Sequence, residues 1–348
     1  MKSMEPERFG EGEGSGMRWS FLLAVIGLSI TDVESFAQRQ PADERLSSTR
    51  AGSDDPTFFK TTGMVRFQLI QGRLCLNCPQ HRKGTRSRDE SGISESIMVT
   101  SEQGVPSLHY VLQTSEQQLT LNVQHAGNVR LESRFLKSGQ RAIVEQPDFG
   151  MIRWSLWDNE QTETRNGATL LHLREQEPEV FDRHFGPLIT CLLRGRSLDL
   201  LTAETSLAMV KQVSRGGTPS ATDIKIMVES LSAPTFVQRS CAHRQLLKWG
   251  TPVIPVLQTS WNDELNAEQK VRIRDIRNRL RAFVDDTPAS LAKLLVNDRS
   301  YWEVTAHRFS EVQIILANRH LVLFGASPLS VVSTTGHRVV TRPVNSFR

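Results

Sequence analysis

Between residues 64 and 175 apolar side chains recur at every second position, a period that confines the segment to strands. Val65, Phe67 and Leu69 alternate with polar neighbours; Leu108, Tyr110 and Leu112 do the same, as do Leu119, Leu121 and Val123. Turn chemistry breaks the runs at intervals of about ten residues, at Ala126-Gly127-Asn128, Ser138-Gly139 and Asp148-Phe149-Gly150. With no helical pattern before about Glu179, the expectation is an antiparallel meander folded as a curved sheet, sandwich or partial barrel. One face of such a sheet can stay wet, which suits the Gln, Ser, Arg and Glu residues between the apolar positions. Residues 80–94 interrupt the alternation with the run His81-Arg82-Lys83-Gly84-Thr85-Arg86. They are expected to form a mobile hairpin loop, the alternative being a docking loop for an acidic partner.

Beyond Val180 the period changes to 3.6. Phe181, Phe185, Leu188, Ile189, Leu192 and Leu193 predict one helix and residues 198–213 a second. Gly216, Gly217 and Pro219 then break the chain before a helix over 222–231. The clearest helical signal lies at 235–283. Thr235 with Gln238 three residues on is a capping pattern, and Phe236, Ala242, Leu246 and Leu247 fall to one side of the helix it opens. Gly250 stops that helix, Pro252 opens a second over 251–261, and Asn266 with Gln269 opens a third carrying Val271, Ile273, Ile276, Leu280 and Phe283. Asp286-Thr287-Pro288 starts another through Leu291, Leu294 and Leu295, and residues 302–316 predict one more, with Val304, Phe309, Val312 and Ile315 on one face. The fold class is therefore α+β: an antiparallel β-rich module over 58–178, a helical module over 179–325, and a tail over 326–348 that is either frayed or a terminal hairpin.

The helical stretch carries a resemblance. Ala233-Pro234-Thr235-Phe236, Arg239, Ala242, Leu246-Leu247-Lys248-Trp249-Gly250, Pro252, Ile254-Pro255, Leu257, Val271-Arg272 and Leu280 together resemble a HEAT-like repeat unit, a related form of which occurs in exported proteins of planctomycete-type bacteria. The likeness covers residues 233–283. It implies that the arginine, the leucine pair and the Gly-Pro break maintain a helical hairpin and its stacking, and that the module is an interaction scaffold. Solenoids need tandem copies because one unit cannot bury its own face, and only a faint echo follows, near Trp302 to Val312. The unit is therefore expected to pack on the flanking helices.

A chain of 348 residues with 38% hydrophobic and 23% charged residues can bury a core and is not a multi-span membrane protein. Met17-Arg18, an apolar run over 19–30 and Ser35-Phe36-Ala37 match a signal peptide cut after Ala37, so residues 1–37 are expected to direct export, to periplasm or medium. Glu5, Glu7, Glu11 and Glu13 ill suit an export signal, and Met17 is a possible true start. Residues 38–57, poor in large apolar side chains, read as a disordered linker. No membrane span is expected after cleavage.

Sequence motifs disclose no activity. Catalytic helix, nucleophile-elbow, phosphate-loop and dinucleotide signatures are missing, so no catalytic or cofactor-binding residue is assigned, although a constellation built from distant residues would leave no motif. Cys75-Leu76-Asn77-Cys78, with His81 nearby, is the one local arrangement that could hold a metal or a redox dithiol. It closes a strand and precedes Pro79 instead of opening a helix, and no second pair completes a zinc site, so a structural role is expected. The four cysteines allow three full pairings. The densest basic surface is the helix with Lys270, Arg272, Arg274, Arg277, Arg279 and Arg281; of these Lys270, Arg274, Arg277 and Arg281 are the binding candidates. A solvated face explains such a helix without any ligand. The functional expectation is an exported, non-enzymatic interaction or scaffold protein of the cell envelope, with another protein or envelope component as partner, no cofactor and no nucleic acid. Two alternatives stand beside it: an enzyme or metal-binding protein using Cys75 and Cys78, and an anionic-polymer binder using the basic helix 270–281.

Overall fold

The computed structural model describes residues 58–61, 65–77, 84–90, 92–158, 161–213, 219–262, 264–281 and 284–329. The expected signal peptide, the linker, Cys78, His81, Phe283 and the tail beyond Leu329 lie outside the described residues.

A short helix α1 (Phe58–Thr61) precedes the hairpin β1 (Arg66–Ile70) and β2 (Arg73–Asn77). Eight strands follow in a sequential antiparallel meander: β3 (Gly84–Glu90), β4 (Ile93–Glu102), β5 (Val105–Gln113), β6 (Gln117–Gln124), β7 (Asn128–Phe135), β8 (Arg141–Gln146), β9 (Ile152–Asp158) and β10 (Gln161–Gly167). The register aligns the apolar alternation across the sheet. Ile97 pairs with Tyr110, Tyr110 with Leu121, Leu121 with Leu131, Leu131 with Val144 and Val144 with Trp154, a continuous row in which every side chain is buried. Period-two patterning puts all of them on one face. The opposite face is polar, with Arg130 and Arg141 paired to Glu132 and Arg130 also to Glu145. The one wet face expected of an antiparallel sheet is present.

Residues 84–90 are a strand, where a mobile loop was expected. Their backbone completes a ladder with β4, and Arg88 reaches the buried Glu95 carboxylate at 3.4 Å. Charge-rich composition is normal for an edge strand, because it discourages further pairing.

Helices α2 (Leu170–Gln176), α3 (Pro178–Leu192), α4 (Leu198–Val213) and α5 (Ala221–Ser230) come next. The helical part thus begins at Leu170. Leu170 to Glu175 are all buried, so α2 has no polar face and no amphipathic period to betray it. The stretch read most clearly from sequence forms α6 (Phe236–Trp249), a 3-10 turn (Thr251–Val253), α7 (Ile254–Thr259) and α8 (Ala267–Leu280). Thr235 caps α6 by accepting from the Gln238 N–H, Gly250 ends it at φ 76°, and Asn266 with Gln269 forms a full capping box on α8. Phe236 and Val271, members of the helical spacing, are nevertheless 67% and 63% exposed.

The chain continues through α9 (Pro288–Leu295), α10 (Arg299–Val304), a 3-10 turn (Ala306–Arg308) and α11 (Glu311–Phe324). The single helix expected over 302–316 is thus broken, because Ser310 and Gln313 form a new capping box that restarts the helix after Phe309. α3 lies across the buried sheet face, where Phe181 meets Trp154 edge-on with ring centroids 5.5 Å apart. One continuous hydrophobic core runs from β1 to Leu329, so the boundary expected at 178/179 does not separate two cores.

The β1–β2 hairpin is tied to both layers by polar groups. Gln71 and Gly72 have φ of 54° and 71°, as a two-residue primed turn requires. Gln146 of β8 serves β2 as a neighbouring strand would: its Oε1 accepts from Leu74 N–H at 2.9 Å and its Nε2 donates to Leu74 O at 2.8 Å. On the other side, Leu69 N–H donates to Asp285 Oδ1, Asp286 N–H donates to Leu69 O, and Gly72 N–H donates to Asp286 Oδ2, all within 2.8 Å. A Cβ on Gly72 would stand 2.4 Å from the side chain of Thr169. Gly72→Ala therefore combines a disfavoured positive φ with an overlap against a buried residue, and is expected to cost about 2–4 kcal/mol in urea unfolding. A change within experimental error would show that the turn is not under this constraint.

Candidate functional site

The arginines of the basic helix divide between two faces. Arg272 pairs with Glu268 and Arg279 with Asp275 on the helix itself, and Lys270 is half-buried. Arg274 is exposed but lies over the Trp261 ring at 5.3 Å. Arg277 and Arg281 turn toward the sheet, where the sequence reading had put them on a solvated outer face. Arg277 donates to the Asp148 carbonyl, bridges its carboxylate at 3.0 Å and lies 5.4 Å over Phe149. Phe149 in turn meets Trp261 edge-on at 4.8 Å. Arg274, Trp261, Phe149 and Arg277 form, in that order, a pair of aromatic rings flanked by two guanidinium groups, which joins α8 to the β8–β9 loop.

Arg281, just past the end of α8, donates from Nη2 to the Cys75 Sγ. The cysteine motif and the basic helix, two separate candidates in the sequence, therefore meet here. Between them lies Arg73, which sequence reading did not single out. It is almost fully buried and donates to the carbonyls of Gly150, Ala168 and Pro147. Burial, reinforced by neighbouring Arg277, draws its pKa down to about 10, so it remains a cation at neutral pH. Arg73, Cys75, Asp148, Gln258, Arg277 and Arg281 line a cavity of about 30 Å³ at this seam. The signal for Arg73 was its position after the Gln71-Gly72 turn, opening a strand whose next three residues are buried. No spacing rule ranks it above the other arginines.

The thiol chemistry expected as an alternative is not favoured by this surrounding. Burial pushes the Cys75 thiol up, outweighing Arg281 and Arg73, so it is a protonated, poorly nucleophilic group. Cys75 forms no disulfide; Cys241 is exposed on α6 and Cys191 is half-buried on α3. Cys78 and His81, the other two weak metal candidates, lie outside the described residues. Among the described residues no group of three or more His, Cys, Asp or Glu could hold a metal ion.

Two other arrangements contain residue types used in nucleophilic catalysis. Ser133 Oγ lies 2.8 Å from His184 Nδ1; Thr169 Oγ1 lies 2.9 Å from His172 Nδ1, whose Nε2 is 3.2 Å from Asp298 Oδ2. Both hydroxyls are at most 1% exposed, and Thr169 caps α2 while Asp298 caps α10. A nucleophile must meet its substrate at about 3 Å, and these cannot. They are packing contacts.

A further surface feature is apolar. On α11, Val312, Ile315, Val322 and Leu323 are 68%, 53%, 58% and 84% exposed. Ile315, Asn318, Arg319, Val322 and Leu323 line a shallow depression of about 540 Å³.

His184 and Asp286, both shifted by burial, act on acid stability in opposite senses. Burial pushes His184 down to about 4 from an ordinary 6.5, so the fold loses stability as pH falls through that window. Burial pushes Asp286 up to about 6 from 3.8, so the fold gains stability as pH falls through that one. The two offset each other between pH 6 and 4. Asp286→Asn keeps an acceptor for Gly72 but removes the titration, and is expected to steepen the loss of stability between pH 6.5 and 4 in urea melts. An unchanged slope would exclude Asp286 as a titrating clamp.

No protein family matches this chain, and neither does any curated protein or solved structure.

Proposed function

We propose that this protein is a non-enzymatic interaction protein, exported as its first 37 residues suggest, which receives an amphipathic helix of a partner protein on the outer face of α11. The observation that carries the reading is the set of four apolar side chains left exposed on that helix. Residues 312, 315, 319, 322 and 323 follow the three- and four-residue steps of a single helical stripe, the shape that one partner helix covers. In stacked helical repeats each unit's apolar face is covered by the next, and the terminal face is polar. α11 is the last described helix and its outer face is not polar. The HEAT-like resemblance of 233–283 accords with a partner helix occupying the position of a following unit. Arg319 stands within the stripe and selects a partner with an acidic residue opposite it. A stripe one 14-residue helix long falls well short of the roughly 800 Å² per partner of a stable dimer, which favours a single helix over a second copy of the chain.

The polar environment of the candidate seam supports the same class. Its arginines engage protein carbonyls, a carboxylate, aromatic rings and a protonated thiol, and among the described residues no activated nucleophile lines its cavity. The test is site-specific photocrosslinking in the cells that make the protein, from position 315 or 323 and, as a control, from exposed Met98 on the sheet. Adducts from α11 alone, mapped to an acidic amphipathic helix of one protein and reduced at least tenfold by Leu323→Glu with unchanged circular dichroism, are expected. Adducts to this chain itself, or equal yields from all three positions, would overturn the proposal.

A further inference from the structure

We infer that the cavity at the sheet–helix seam is a binding site for a small anion presenting two oxygens, a carboxylate or one edge of a phosphate, held by Arg73, Arg277 and Arg281. The argument rests on charge and on space. Three arginines line the cavity, and Asp148, the one acidic residue among the described residues that lines it, is already engaged by Arg277. Arg73 is turned inward onto three backbone carbonyls, which take three of its five N–H donors without cancelling its charge.

Arg281 is the most telling member. Its acceptor is the Cys75 sulfur, and among the described residues no carboxylate pairs with it. A neutral thiol is a weak acceptor, and a guanidinium has five N–H donors in a planar fork. The rest of that fork has no protein acceptor among the described residues. A buried or half-buried cation without a counter-ion is costly, and a bound anion removes the cost. Burial of the Cys75 thiol keeps it from becoming that counter-ion itself.

The space fits a small ligand. A cavity of about 30 Å³ on this measure holds roughly two water-sized groups, the footprint of two oxygens. Arginine forks bind such a pair of oxygens side by side, whereas a lysine would offer a point charge. Gln258, 2% exposed and lining the same cavity, adds an amide at its wall. The arrangement is held rigidly, since the β1–β2 turn, the β8–β9 loop and the end of α8 are each fixed by the contacts already described. This site is separate from the α11 face, so it stands or falls independently of the proposed partner.

The experiment measures thermal midpoints of the full chain at pH 7 against sodium formate and sodium phosphate, with sodium chloride holding ionic strength constant. A saturable rise in the millimolar range is expected. Saturation with formate identifies a carboxylate site and saturation with phosphate a phosphate site; either supports the inference. Arg281→Met, which keeps the stem and removes the fork, is expected to raise the half-saturating concentration at least tenfold, and Arg281→Lys to fall between the two. A wild-type midpoint that climbs linearly with both salts, without saturation, overturns the inference whatever the variants do. So does an unchanged half-saturation in folded Arg281→Met.

Discussion

Every layer of this protein is referred to one two-residue turn. Gln71 and Gly72 reverse the β1–β2 hairpin, and the backbone groups around them could not be left unpaired inside the fold, since a buried, unsatisfied amide or carbonyl costs about 1–3 kcal/mol. They are satisfied from outside the hairpin. Asp285 and Asp286 of the α8–α9 connection take the amides of Leu69 and Gly72, Asp286 returns a bond to Leu69, and the Gly72 carbonyl accepts from Leu170 at the start of α2. Gln146 closes the other side. Sequence separations above 200 residues are bridged in this way, so the turn can take its place only when sheet and helices are both present.

That dependence explains why charged groups are buried at the seam. The chain emerges from the turn into Arg73, whose side chain must end among the carbonyls of the β8–β9 loop and the α2 entry. Arg277 and Arg281 approach the same place from α8. Their positions follow from the packing of α8 beside the loop, fixed by Phe149 and Trp261 stacking between two guanidinium groups. A partly buried ionic cluster of this kind, with Arg73 buried and Asp148 exposed, contributes less to stability than apolar packing would, because desolvation offsets the attraction. Its value lies in specifying one arrangement and in leaving positive charge beside a cavity.

Much of the architecture was legible from residue patterns. The buried row from Ile97 to Trp154 is the period-two alternation read directly, and Thr235, Gly250 and Asn266 cap and stop their helices as their chemistry requires. Failures have physical causes. α2 is buried on every side and so has no period. β3 is a charged edge strand whose pairing with β4 overrides its loop-like composition. α11 restarts at a Ser310–Gln313 box, which spacing alone does not reveal, nor does spacing say whether an apolar stripe is covered.

The sequence by itself determined the fold class, the order of strands and helices and most of their ends, because periodicity, capping and turn chemistry act over a few residues. Only the tertiary structure decided which arginines face inward, that Cys75 meets Arg281, and that, among the described residues, the outer apolar face of α11 is left exposed. Those outcomes depend on contacts between residues as far apart as 75 and 281, and no local pattern encodes them.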